Sequence, residues 1–104
     1  MYNISIDFEY NPLKSEQNRL KHGISFEEAK AMWTVLGVTV PARVVMESRF
    51  VRISIWKGKF YSCIYTFRKN GVRIISVRRS RKEEEKIYWE NTKNEKKGEE
   101  NFSG

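Results

Sequence analysis

Ile4, Ile6 and Phe8 alternate with Ser5 and Asp7, the period of a short strand with one buried face. Asn11-Pro12 then offers an N-cap ahead of a proline at the first helical position, and predicts a helix through about Lys21 with Leu13, Gln17 and Leu20 on its inner side. His22-Gly23 ends that helix, because glycine accepts the left-handed conformation that closes one. Ser25-Phe26-Glu27-Glu28 has the form of a capping box and predicts a second helix to about Val35. Phe26, Ala29, Lys30 and Trp33 fall on one stripe of it, with the stem of Lys30 along the margin.

From Val38 the period changes to two. The stretch Val38–Met46 is interrupted by Pro41, which restricts it to an edge or bulged strand. Arg49, Val51, Ile53 and Ile55 alternate with Phe50, Arg52, Ser54 and Trp56, Lys57-Gly58 suits a tight turn, and Phe60 to Phe67 supplies the return strand. Asn70-Gly71 predicts a type I′ hairpin turn leading into Val72 to Arg79. Ser80-Arg81-Lys82-Glu83 predicts a second capping box, opening a C-terminal helix through Ile87, Tyr88 and Trp89. The expected fold is α+β: a short N-terminal strand and two helices packed on an antiparallel β-meander sheet, with a C-terminal helix. Helices are expected on one sheet face and arginines on the other. Residues 1–90 form the expected single domain, and the low-complexity Lys, Glu, Asn and Gly of 91–104 the expected disordered tail.

Composition narrows the class. A chain of 104 residues, 39% hydrophobic, suits one small domain with its own core. No apolar run approaches the ~18 residues of a membrane span, and the N-terminal residues lack the basic-then-apolar plan of a signal peptide, so the expectation is a cytoplasmic protein without membrane contact. A lone Cys63 excludes an intrachain disulfide, and with a lone His22 it cannot build a structural zinc site.

Charge adds a direction. Residues 41–82 carry twelve basic side chains against one acid, Glu47, whereas residues 1–40 carry four against five. Such a concentration draws polyanions and releases their counterions, although a solvated basic face that serves solubility has the same composition. Arg49, Arg52, Arg68, Arg73, Arg78, Arg79, Arg81 and Lys82 are interleaved with Phe50, Trp56, Phe60, Tyr61, Tyr65 and Phe67. Guanidinium forks grip phosphate and aromatic rings stack on unpaired bases, so single-stranded RNA is the expected partner; alternation alone turns about half of these aromatics into the core.

Two functions fit. RNA cleavage needs a base, in-line geometry, stabilisation of the phosphorane charge and an acid. No pair of carboxylates in the basic middle would hold magnesium, so arginines carry the electrostatic part and no cofactor is expected. Glu47 and Arg49 share a strand face by period two, which allows an orienting or general-base role for Glu47, or a weak cross-strand ion pair. The competing class is a non-catalytic nucleic-acid-binding module. His22 reads first as a helix-end residue, and Cys63 as packing.

Phe8-Glu9-Tyr10-Asn11-Pro12, the block Lys21-His22-Gly23-Ile24-Ser25-Phe26-Glu27-Glu28-Ala29, Glu47-Ser48-Arg49, Tyr65-Thr66-Phe67-Arg68 and Arg73-Ile74-Ile75-Ser76-Val77-Arg78-Arg79-Ser80 together resemble the BrnT toxins. The resemblance runs from about Phe8 to Glu90. It implies a RelE-like fold and a metal-independent ribonuclease toxin of a bacterial type II toxin–antitoxin module that inhibits translation. It implies also a cognate antitoxin with a DNA-binding portion, and contact with operator DNA only through the complex; the alternative beside the binding module is a degenerate toxin acting only as a partner in operon repression. Carried over by motif, the active-site candidates are Glu47, Arg49, Arg68, Arg78 and Arg79, with Arg52, Arg73, Lys82, Tyr65 and Tyr88 toward RNA and His22 as a further candidate. Four departures are Tyr10 where tryptophan is usual, Asn11 in place of an expected aspartate, Val77-Arg78-Arg79-Ser80 where alanine often stands, and an apolar, Pro41-bearing Val35–Val45 in place of an acidic loop.

Overall fold

Residues 6–42 and 48–103 are described by a computed structural model, with side chains over 6–42 and 48–92. The alternating segments pair as successive antiparallel hairpins: β2 (Gly37–Pro41) with β3 (Phe50–Trp56), β3 with β4 (Lys59–Arg68), and β4 with β5 (Gly71–Arg79). A further strand, β1 (Asp7–Glu9), lies parallel to β5, so the five-stranded sheet runs β1-β5-β4-β3-β2 and is mixed rather than wholly antiparallel. β2 is an edge strand that ends on Pro41, as its proline requires. The residues Ile4 and Val44 to Met46, also read as strand positions, lie outside the described residues.

The two tight turns exchange roles relative to the sequence expectation. Lys57 and Gly58 both take positive φ, 52° and 75°, the pairing a type I′ turn demands. Neither Asn70 nor Gly71 has positive φ. Instead Lys69-Asn70 makes the turn, and Gly71 is already in β5, opposite Arg68 on one side and Asp7 on the other. Gly71 serves close approach: a Cβ there would collide with the Asp7 carbonyl oxygen.

Helix α1 (Pro12–His22) starts where expected, with the Asn11 side chain accepting from the Leu13 and Lys14 N–H groups at 2.9 and 3.1 Å, and stops at Gly23 with φ 79°. Its inner face is not the expected one. Leu13 and Leu20 are 70% and 72% exposed, while Ser15 and Asn18 are buried. The reason lies in what α1 covers. β1 pairs with β5 only as far as Arg73, so the backbone of Val77 has no strand on that side. The Asn18 amide takes the strand's place, donating to Val77 O at 2.7 Å and accepting from Val77 N at 3.3 Å, and it also donates to Ile24 O at 2.8 Å. Ser15 Oγ accepts from Phe26 N at 2.9 Å.

Ser25 and Glu28 close the expected capping box, but α2 lasts only over Phe26–Ala29 and continues as a 3₁₀ turn, Lys30–Trp33. Ile24, Phe26, Ala29 and Met32 from this segment pack on Tyr61, Cys63, Ile74 and Val77 of the sheet. Complete burial of a chain such as Phe26 stabilises by about 1.5–3 kcal/mol. Helix α3 (Lys82–Ser103) departs from the expected single helical face: Ile87 and Tyr88 pack on the opposite side, against Val51, Ile53 and Phe60. Both faces are therefore layered, and α3 covers the β2–β3 half of its face. The helix extends across residues whose composition reads as a tail. No helix among the described residues is long and apolar enough to cross a membrane.

Gly71→Ala is expected to push β1 off the edge of β5. Overpacking of this kind costs about 1–3 kcal/mol, and a lowered urea midpoint with faster hydrogen exchange confined to β1 and β5 would show it.

Candidate nucleic-acid interface on the second sheet face

A bulge decides which arginines meet. Ile64 faces Ser76 across β4 and β5, but the next residue, Tyr65, faces Ile74, leaving Ile75 as an extra residue in β5. Ile74 and Val77, three apart, consequently both enter the helical core, and Arg73, Ser76 and Arg78 turn to the other face. Without the extra residue, Arg79 would take the place of Arg78.

Four candidates share this second face. Arg49 follows Val51 by period two and its carbonyl accepts from Ala42 N at 2.8 Å, which extends the β2–β3 ladder by one step. One step beyond the Phe50–Tyr65 pair, Arg49 stands beside Thr66, which pairs with Arg73, which pairs in turn with Glu9. Arg49, Thr66, Arg73 and Glu9 thus form one row across four strands, with Arg49 and Arg73 roughly 10 Å apart at ordinary strand spacing. Arg68 lies at the end of β4 on the same side, and Arg78 farther along β5. Thr66 Oγ1 donates to Ser48 O at 2.7 Å, which ties down the approach to Arg49. Arg49 Nε is shielded from solvent and has no hydrogen-bond partner among the described residues.

Three of the four guanidinium groups, those of Arg68, Arg73 and Arg78, face carboxylates. Arg73 donates to Glu9 Oε1 at 2.8 Å and Arg68 Nε is 3.6 Å from the same oxygen. These groups are substantially exposed, so the attraction is largely screened. Arg78 is held differently. Both of its terminal nitrogens donate to Glu84 at 2.8 Å, in a bidentate fork. Glu84 Oε1 also accepts from Ser62 Oγ and from the backbone N–H of Arg81, at 2.9 and 2.7 Å. Arg81 is thus the residue that caps α3, with Glu84 three positions on. The expected box on Ser80 and Glu83 does not form: the Ser80 hydroxyl is engaged by Ser62 at 2.7 Å, and only a carboxylate half is present one residue on, Glu84 accepting from the Arg81 N–H.

Burial pushes the Glu84 carboxyl up, but the hydrogen bonds from Arg78, the Arg81 N–H and Ser62, with the Arg78 charge, outweigh it and hold the group at about 2. The same hydrogen bond raises Arg78, against the opposing effect of burial. Beside the fork is a cavity of about 380 Å³ between the end of β2, the sheet and the start of α3, lined by Val40, Ala42, Val51, Ile64 and Ile87 with Arg78, Arg81 and Glu84 among its polar groups.

The remaining candidates separate from this face. Arg52 lies on the helical side, where it donates to Met32 O and Val35 O, both at 3.0 Å, and stacks 5.7 Å from the Trp33 ring centroid. It caps the 3₁₀ turn, over Gly37, whose missing Cβ leaves room for the guanidinium. Arg79 sits over the Tyr61 ring at 5.8 Å, also on the helical side. Tyr65 is buried there against Trp33, with centroids 5.3 Å apart. Tyr88 is buried beneath α3 against Phe60. Lys82 is exposed in the first turn of α3, and His22 ends α1 as its sequence position suggests. Glu47 lies outside the described residues. Sequence reasoning missed Ser62, Glu84 and Glu9 as partners; the three-residue spacing from Arg81 to Glu84 was the one available signal.

Cys63 is fully buried, and burial pushes its thiol up, away from the thiolate a nucleophile needs. Among the described residues no three His, Cys, Asp or Glu side chains stand together to hold a metal ion.

Glu84 yields a pH prediction. A carboxyl lower in the folded than in the unfolded chain contributes stability that is present above its ordinary value of 4.5 and lost as pH falls toward about 2. Urea midpoints are expected to decline across that interval, and Glu84→Gln to flatten this part of the profile while lowering stability at pH 7.

No curated protein matches the chain. A family model described as "Ribonuclease toxin, BrnT, of type II toxin-antitoxin system" matches residues 10–84, which include both strands bearing Arg68, Arg73 and Arg78 and the Arg78–Glu84 fork. By that match the chain belongs to the BrnT family of ribonuclease toxins.

Proposed function

We propose that the chain is a metal-independent endoribonuclease, RelE-like in its use of a sheet face, which inhibits translation by cutting RNA and is neutralised by a cognate antitoxin. The supporting observation is the row Arg49–Thr66–Arg73 with Arg68 and Arg78 on one side of the sheet, the face on which α3 packs over Val51, Ile53 and Phe60. RNA entering there meets Arg68 and Arg73, which can exchange the exposed carboxylate of Glu9 for phosphate oxygens. Arg49 and Arg73 would neutralise the phosphate, and Arg78 would oppose the charge that develops on the phosphorane. Glu47, two residues before Arg49, is proposed to take or orient the 2′-hydroxyl proton. Arg68 would hold a neighbouring phosphate. Arg52 and Arg79, on the other side, are outside this scheme.

The family implies an antitoxin partner. Its neutralising contact is proposed to cover the arginine row, and a DNA-binding portion of the antitoxin would bring the complex to operator DNA.

A second reading has its own observation. Arg68, Arg73 and Arg78 each already face a carboxylate. That arrangement suits a non-catalytic nucleic-acid-binding module, in which the forks serve folding and the net positive field serves binding.

Cleavage separates the two. The purified chain is expected to cut a mixed-sequence RNA in EDTA, and Arg49→Ala to slow this by about 10²–10³-fold, the usual effect of losing one charge-stabilising donor. Arg78→Ala would strand Glu84 and destabilise the fold, so the informative variant is Arg78→Lys, which keeps the charge and removes the fork. It is expected to remain folded and lose most of the rate. Arg52→Ala should do the opposite, keeping the rate per folded molecule but lowering the melting temperature by about 4–8 °C for each kcal/mol lost. Inertness of the wild type toward RNA, with and without ribosomes, would favour the binding module. Expression of the chain alone is expected to arrest bacterial growth; normal growth with abundant folded protein would count against the toxin reading.

A further inference from the structure

A second basic site lies at the free edge of β5. There, past the end of β1, α1 and the bulged segment border an open cavity of about 210 Å³ lined by Lys14, Gln17, Lys21 and His22 with Ile75 and Ser76. Lys14, Gln17 and Lys21 follow the helical repeat and present one stripe of α1. None of the lining residues is a carboxylate, and among the described residues neither lysine has an acidic partner within ion-pair distance. That contrasts with the arginine row, where three guanidinium groups are matched by acids. Ser76 connects the two sites. It belongs to the second face, two residues before Arg78, and through the bulge it also borders this cavity.

We propose that this cavity is a phosphate subsite for the RNA strand, holding a backbone phosphate one or more nucleotides from the bond at the arginine row. The proposal rests on the RNA reading above and adds the direction in which the strand leaves the sheet: over the edge of β5, toward α1. Lys14 and Lys21 supply the charge, and Gln17 and Ser76 supply neutral donors. The edge is accessible because Asn18, rather than another strand, satisfies the Val77 backbone. A phosphate is favoured over an acidic peptide because the site is continuous with the arginine face through Ser76.

Binding of a 2′-O-methyl RNA decamer, which resists cleavage through the 2′-hydroxyl, tests this by fluorescence anisotropy over a range of salt. The Lys14→Gln/Lys21→Gln double variant is expected to bind about ten-fold more weakly near 0.1 M salt, with a salt slope shallower by about 1. Lys14→Arg/Lys21→Arg should restore both. Lys57→Gln/Lys59→Gln removes the same charge from the β3–β4 turn and should leave the slope unchanged. An unchanged slope in the first double variant, or an equal loss in the second, overturns the subsite. So does loss of polyglutamate binding with RNA binding intact, which would assign the cavity to an acidic peptide. Failure of the nuclease reading is seen separately: a wild type that binds the decamer but leaves ordinary RNA uncut loses its catalytic assignment, while the slopes still decide the subsite. A wild type with no salt-dependent RNA binding overturns the subsite together with the arginine face.

Discussion

The fork between Arg78 and Glu84 links the layers of this molecule. Glu84 stands in the first turn of α3, so its bond to β5 fixes where the helix leaves the sheet, and the Arg81 N–H and Ser62 hydroxyl complete its partners. The helix start favours a carboxylate because unpaired N–H groups place partial positive charge there. α3 is thereby anchored over β2 and β3, with Phe60 and Ile64 of β4 in the same cluster. One carboxylate thus orders the helix, orients an arginine and sets the border of the basic surface.

The bulge at Ile75 is the other determinant. Strand alternation permits only one set of β5 residues on the open face, and an inserted residue changes the set halfway along. Arg73 would otherwise be joined by Arg79, leaving Arg78 beneath the helical layer. The chain carries consecutive arginines at this point, so sequence shows that one will face each way but not which. An unbroken period of two favours the wrong one.

What sequence reveals here follows the range of the interaction. The Asn11 cap, the Gly23 stop and the Ser25–Glu28 box depend on residues within one turn, and each is found where the pattern puts it. The edge strand ending in Pro41 is equally legible, since proline lacks the N–H an inner strand needs. Leu13 and Leu20 mislead because α1 turns polar side chains inward, Asn18 onto the open backbone edge of β5 and Ser15 onto the Phe26 N–H. Gly71 misleads in a related way: Asn70-Gly71 has turn chemistry, yet the glycine is required by a strand more than sixty residues earlier. The family-level resemblance was legible because its motifs occupy these local caps and strand ends; the sorting of arginines between faces depended on long-range pairing.

Arg52 shows why a count of basic residues overstates a nucleic-acid surface. Its guanidinium passes over Gly37 and binds two carbonyls at the end of the 3₁₀ turn, and burial lowers its proton affinity without a carboxylate beside it. The end of the turn at Lys30–Trp33 leaves these carbonyls short of helical partners. A fork reaches both, and its flat face rests on Trp33. The same geometry that suits phosphate therefore suits the frayed end of a short helix. What separates an arginine available to RNA from one committed to the fold is the nature of its present partner: an exposed carboxylate can yield to phosphate in water, whereas Arg52 would have to give up two carbonyls and its seat on Trp33 together.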